Sequence, residues 1–185
     1  GTKYTHIQFS LNWLADDTDE NLQLLVGAGE RVNDAAATGG TAYRMKSSDG
    51  STVVYEWASN PFGSTPLTAY FRFKIAATGS PNEAVKVSIS DGSSDVATLT
   101  IKGTDFAAAG QYQEFAVPFT PPAGKKLLVF CISRSGPADV YWDHIALYTA
   151  PIPVASPLNY RTFNSYYRSS GIQARRKCQV MLIVT

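Results

Sequence analysis

Apolar and polar positions alternate with a period of two along most of the chain, the period of a β-strand with one covered face. The clearest run is Leu67 to Ile75. Leu67, Ala69, Phe71, Phe73 and Ile75 fall on one side, and Thr68, Tyr70, Arg72 and Lys74 on the other. The same logic predicts strands over Tyr4–Leu14, Leu22–Val26, Thr41–Met45, Thr52–Trp57, Val85–Ser90, Val96–Ile101, Gln111–Phe119, Leu127–Ile132 and Ala138–Tyr148. Turn chemistry separates them: Ser47-Ser-Asp-Gly50, Asp91-Gly-Ser-Ser94, Pro121-Pro-Ala-Gly124, and a loop from Asn60 to Pro66 broken by Pro61 and Pro66. Gly27 to Gly40 reads as a glycine-punctuated turn region. No stretch carries a convincing helical period. Short strands at regular spacing predict an all-β sandwich.

One strand holds an anomaly. In Ala138 to Tyr148, Val140, Trp142, His144, Ala146 and Tyr148 alternate with Tyr141, Asp143, Ile145 and Leu147. Both sets are largely apolar, so the stretch reads as an interior strand covered on both sides. Asp143 then needs hydrogen bonds, a cation or a metal, because an ionised carboxylate is costly inside a strand. Pro151 and Pro153 end the pairing.

The chain has 185 residues, which suits one domain with extras. Residues 1–150 read as the sandwich and residues 151–185 as an extension. All 15 acidic residues lie at or before Asp143, and five of the 16 basic ones lie beyond residue 156, so residues 1–156 carry −4 and residues 157–185 carry +5. The extension mixes Tyr160, Phe163, Tyr166 and Tyr167 with arginines and ends in the β-prone run Cys178-Gln-Val-Met-Leu-Ile-Val184. Such a run must pair, either on this sandwich's edge or on a neighbouring subunit. No apolar run reaches membrane-spanning length. Sparse charge and abundant Ser, Thr, Gly and aromatics suit a secreted or extracellular protein, and no signal peptide is present. Cys131 and Cys178 allow one disulfide in an oxidising compartment, or two free thiols.

Catalytic signatures are absent. There is no nucleophile elbow, phosphate loop, zinc spacing or dinucleotide fingerprint. His6 and His144 are the only histidines, both in predicted strands. The acidic cluster Asp16, Asp17, Asp19 and Glu20 reads as a solvated loop. The aromatic side chains remain. Trp57 and Asn60 flank a loop, where a ring can stack on a sugar and an amide can bond its hydroxyls. Trp57, Asn60, Trp142 and Tyr43 are the candidate carbohydrate contacts.

Asp34-Ala-Ala-Ala-Thr-Gly-Gly40, the Leu67–Ile75 strand, Tyr112-Gln-Glu-Phe-Ala-Val-Pro-Phe119 and Val140-Tyr-Trp-Asp-His-Ile-Ala-Leu147 together resemble, in order, the segments of jelly-roll carbohydrate-binding modules of the family 6/35 type, over roughly residues 22–149. The resemblance implies a jelly-roll sandwich of two antiparallel sheets and a non-catalytic glycan-binding role. It also implies a structural Ca²⁺ held by Asp143, with Asn21 and Gln23 standing where the family usually carries acidic ligands. The alternative expectation is a structural subunit of an extracellular or virion assembly, its C-terminal run donating a strand to an identical subunit. Nucleic acid is a poor match for five cations spread over 29 residues.

Overall fold

The computed structural model describes residues 7–14, 23–38, 40–60, 63–148, 161–163 and 177–182, with backbone alone for 7–14, 23–25, 56–59, 146, 148, 161–163 and 177–182. Among the described residues thirteen strands are formed: β1 (Ile7–Leu14), β2 (Gln23–Val26), β3 (Glu30–Asn33), β4 (Thr41–Met45), β5 (Thr52–Ser59), β6 (Leu67–Ile75), β7 (Glu83–Ser90), β8 (Asp95–Lys102), β9 (Tyr112–Phe119), β10 (Leu127–Arg134), β11 (Val140–Tyr148), β12 (Arg161–Phe163) and β13 (Lys177–Leu182). They build a jelly-roll sandwich of two antiparallel sheets. One has eight strands, with β11 between β6 on one side and β4 and β1 on the other; the second has five, ordered β2-β5-β10-β7-β8.

The expected strands formed, with two additions: the short β12, Arg161–Phe163, paired with β13, and β3. Glu30–Asn33 is a strand inside the supposed turn region, paired with β4. Its four residues alternate only weakly between half-buried and exposed, so they carry little apolar signal. Gly29, just before it, sits where a Cβ would lie 2.4 Å from the Tyr43 ring. The missing side chain makes room for that ring. The C-terminal run pairs with β1 of its own chain, from Ile7↔Leu182 to Asn12↔Lys177. The acidic cluster at 16–20 and His6 lie outside the described residues.

The core lies between the sheets. Phe71, Phe73, Val87, Ile89, Leu128, Phe130, Ile132, Val140, Trp142 and Ile145 are all buried there. Alternation in β6 holds from Ala69 to Ile75, with Tyr70, Arg72 and Lys74 half-buried between buried neighbours, while Thr68 is buried at the start of the strand.

In β11 the alternation breaks, and this corrects the sequence reading. Trp142 opposes Phe73 and His144 opposes Arg72, so Asp143 is an extra residue in a β-bulge. The bulge shifts the phase by one. Val140 and Trp142 before it, and Ile145 and Leu147 after it, all reach the core. The strand looked apolar on both faces because its register changes midway. It has one core face, and Asp143 leaves on the other.

Trp142 is fully buried among these side chains. Trp142→Ala should cost roughly 3–5 kcal/mol, from lost transfer energy and the cavity left behind. Chemical denaturation of the variant beside wild type measures it.

Candidate functional site

The two outer faces of the sandwich differ in charge. On the eight-stranded sheet, strand register lines up Glu30, Arg44, Tyr141, Lys74 and Tyr112 as one cross-strand row. Cations and rings alternate along it. Lys74 lies 4.4 Å from the Tyr141 ring and 5.0 Å from that of Tyr112, and Arg72 lies 5.0 Å from Tyr112. These are cation–π distances. Arg44 forks onto Asp139, at 2.6 Å from Nη2 and 3.0 Å from Nε, and reaches Glu30.

Above this face residues 34–38 form a strap. The Asp34 carboxylate accepts from Lys74, from the Tyr112 hydroxyl at 2.8 Å and from the Ala36 amide. The Thr38 amide donates to both oxygens of Asp143 at 3.0 Å, and Arg72 Nε donates to Asp143 Oδ2 at 2.7 Å. The His144 Nδ1 lies 3.4 Å from Asp143 Oδ1, an ion-pair contact too long for a good hydrogen bond. Burial pushes Asp143 toward the neutral acid, but His144, the Thr38 amide and Arg72 outweigh it and hold its carboxyl below the ordinary range. For Asp34, burial is likewise outweighed by Lys74 and Tyr112.

These partners answer the anomaly of Asp143. A guanidinium, a backbone amide and an imidazole surround the carboxylate, and a Ca²⁺ ion needs several oxygen ligands there instead. Gln23 lies in β2, on the other sheet. Asn21 lies outside the described residues. No group of three or more His, Cys, Asp or Glu that could hold a metal occurs among the described residues. The residues described do not fit the Ca²⁺ site implied by the family resemblance.

The outer face of the five-stranded sheet is richer in hydroxyl side chains, with Lys86 and Asp95 as charges among them. One cross-strand row reads Tyr55, Cys131, Ser88, Thr98 and the next Val53, Ser133, Lys86, Thr100. Tyr55, Cys131 and Ser88 are half-buried and Thr98 is exposed. The exposed large hydrophobic side chains of the described residues are Val26 and Leu127, register partners of Val53 and Ser59 on the same sheet. Lys86 and Asp95 are charged side chains on this face, and both act on Cys131. Cys131 is a free thiol, and burial pushes its pKa up, so it stays protonated and unreactive.

The four expected sugar contacts divide. Trp142 and Tyr43 are buried on the core side and are withdrawn as contacts. Asn60 is a loop staple: its amide nitrogen donates to the Gly63 and Lys125 carbonyls at 2.8 and 2.9 Å. Trp57 opposes Val129 two residues along β5 from Tyr55, and its side chain lies outside the described residues. Sequence reasoning missed Tyr55. Its signal was the alternation Val53, Tyr55, Trp57 around the buried Val54.

No protein-family model matches the sequence, and no curated protein matches it. Solved structures do. A Podospora anserina GH26-CBM35 beta-(1,4)-mannanase matches with a TM-score of 0.53 and 15% identity over 85% of this chain and 30% of that one. A Clostridium thermocellum endo-1,4-beta-D-xylanase, CBM22-1-GH10 modules complexed with xylohexaose, matches at 0.50 and 15% over 80% of this chain and 29% of that one. A Stig cyclase from Fischerella sp. TAU, in complex with an indole compound, matches at 0.52 and 10% over 74% and 88%. The chain thus spans less than a third of the two polysaccharide-acting proteins. At such identities the likeness is one of fold: the jelly roll of carbohydrate-binding modules, a fold that also serves cyclases.

Two predictions follow from the strap. Asp34 and Asp143 have folded-state pKa values below their unfolded ones, so their stabilisation is present above the ordinary carboxylate range and lost as pH falls through it. Stability should hold from neutral pH to about pH 5 and decline below about pH 4. Asp34→Asn should flatten that decline in acid denaturation curves. EDTA or added Ca²⁺ should leave the Tm unchanged in a thermal scan; a fall in EDTA would restore the cation.

Proposed function

We propose that this protein is a secreted, non-catalytic glycan-binding module whose contact surface is the outer face of the five-stranded sheet. One observation carries the reading: that face pairs an aromatic ring, Tyr55, with rows of hydroxyl and small apolar side chains, and the charges near its centre, Lys86 and Asp95, are of opposite sign. Sugar rings offer C–H faces to aromatics and hydroxyls to neutral donors and acceptors. The opposite sheet spends its charges on one another and has fewer groups left for a ligand. Trp57, beside Tyr55 on β5, belongs to the same proposed surface, as the loop-edge aromatic of the sequence reading. The shared fold with a mannanase and a xylanase raises neutral β-linked polysaccharides as the first ligands to screen.

A glycan array covering neutral and acidic polysaccharides tests this. Binding should favour neutral chains. Tyr55→Ala and Trp57→Ala should each weaken it by at least about tenfold, the scale of 1.4 kcal/mol, with Tm unchanged. A blank array sinks the reading.

A further inference from the structure

Two charges on the proposed face are unpaired. Lys86 on β7 and Asp95 on β8 are both exposed, and neither has a hydrogen bond or ion pair among the described residues. The opposite sheet differs: there Arg44, Arg72 and Lys74 each meet a carboxylate. Register places the two charges on either side of one row, formed by Tyr55, Cys131, Ser88 and Thr98. Lys86 lies in the next row, between Ser133 and Thr100. Asp95 lies in the row on the other side, with Ser90 and Val129. Both act on the Cys131 thiol, with opposite sign, which marks them as its neighbours. Successive rows on one face of a sheet are about 7 Å apart, and the Tyr55 row crosses four strands, about 14 Å.

We propose that Lys86 and Asp95 set the ligand class of this face, restricting it to uncharged sugar chains with free hydroxyls, laid along the Tyr55 row between them. The inference deepens the glycan reading and rests on it. An ammonium is a donor alone and a carboxylate an acceptor alone. A neutral chain supplies both partners: its ring and hydroxyl oxygens accept from Lys86, and its hydroxyls donate to Asp95. A chain of uronic acids gains at Lys86 but brings like charge to Asp95. A chain of amino sugars gains at Asp95 but brings like charge to Lys86. Each charge rejects the ligand that the other attracts, so specificity comes from the repulsive contact as much as from the attractive one. Because the two charges are opposite, their distant fields largely cancel and the selection acts at contact.

Calorimetry in low salt tests it, with β-1,4-linked hexamers of mannose, xylose, glucose, mannuronate and glucosamine. Wild type should bind at least one neutral hexamer, and each charged hexamer at least about fivefold more weakly, the scale of one like-charge contact in water. Asp95→Asn should raise affinity for the mannuronate hexamer by that factor and leave the glucosamine hexamer excluded. Lys86→Gln should do the converse. Both positions are exposed, so the Tm of either variant should match wild type. A wild type that binds a charged hexamer as tightly as its best neutral one overturns the pair's role, and so does a variant that leaves its own charged hexamer excluded; the glycan reading stands in both cases. If wild type binds none of the neutral hexamers, the glycan reading falls and this inference with it.

Discussion

The buried carboxylate of Asp143 is the constraint on which the eight-stranded sheet depends. A charge in mid-strand cannot face the core, where its desolvation would be uncompensated. The bulge at Asp143 resolves this by inserting one residue. It turns the carboxylate outward and lets Ile145 and Leu147 continue the inward set begun by Val140 and Trp142. Without the extra residue, either the charge or the second apolar pair would face the wrong way. The outward turn in turn requires a cover, and the strap supplies it through the Thr38 amide, with Arg72 closing the charge balance.

That compensation divides the molecule. The cations Arg44, Arg72 and Lys74 are committed to Asp139, Asp143 and Asp34, and the same cations lie over the Tyr112 and Tyr141 rings. Charge–charge and cation–ring contacts thus accumulate on one sheet. The other sheet carries Ser88, Thr98, Ser133 and Tyr55 on its outer side, with Lys86 and Asp95 as charges of opposite sign.

Much of the fold was legible because β-alternation is robust where it is unbroken. The bounds of Leu67–Ile75 were read residue for residue, and the other main strands differ from expectation by a residue or two at their ends, except the first, whose expected start at Tyr4 lies outside the described residues. What failed has physical causes. The two-faced apolar pattern of β11 concealed a bulge, since a phase shift and a doubly covered strand produce the same composition. Glu30–Asn33 was missed because an edge strand with two charges has no core face to advertise. The candidate site was less legible. Trp142 and Tyr43 were chosen by residue type, and type says nothing of face. Only register, Tyr55 against Cys131 and Cys131 against Ser88, shows which side chains assemble. The Asp143 problem was correctly posed from sequence, but its answer, Arg72, lies 71 residues away in the chain.

The same electrostatics bears on whether this fold works as an enzyme here. Glycosidases need a pair of carboxyls whose environments push their pKa values apart, one kept protonated as the acid. Asp34, Asp139 and Asp143 are all pushed the same way, downward, by cations and amides. Each is a fixed anion near neutral pH, a good anchor and a poor proton donor. His144 offers an imidazole, but it is nearly buried and its Nδ1 faces Asp143. The cyclases that share the fold show that a jelly roll can host chemistry, so fold alone decides nothing. What these side chains do is hold the sheet's outer face together: Asp34 and Asp143 bind the strap to it, and Asp139 fixes Arg44.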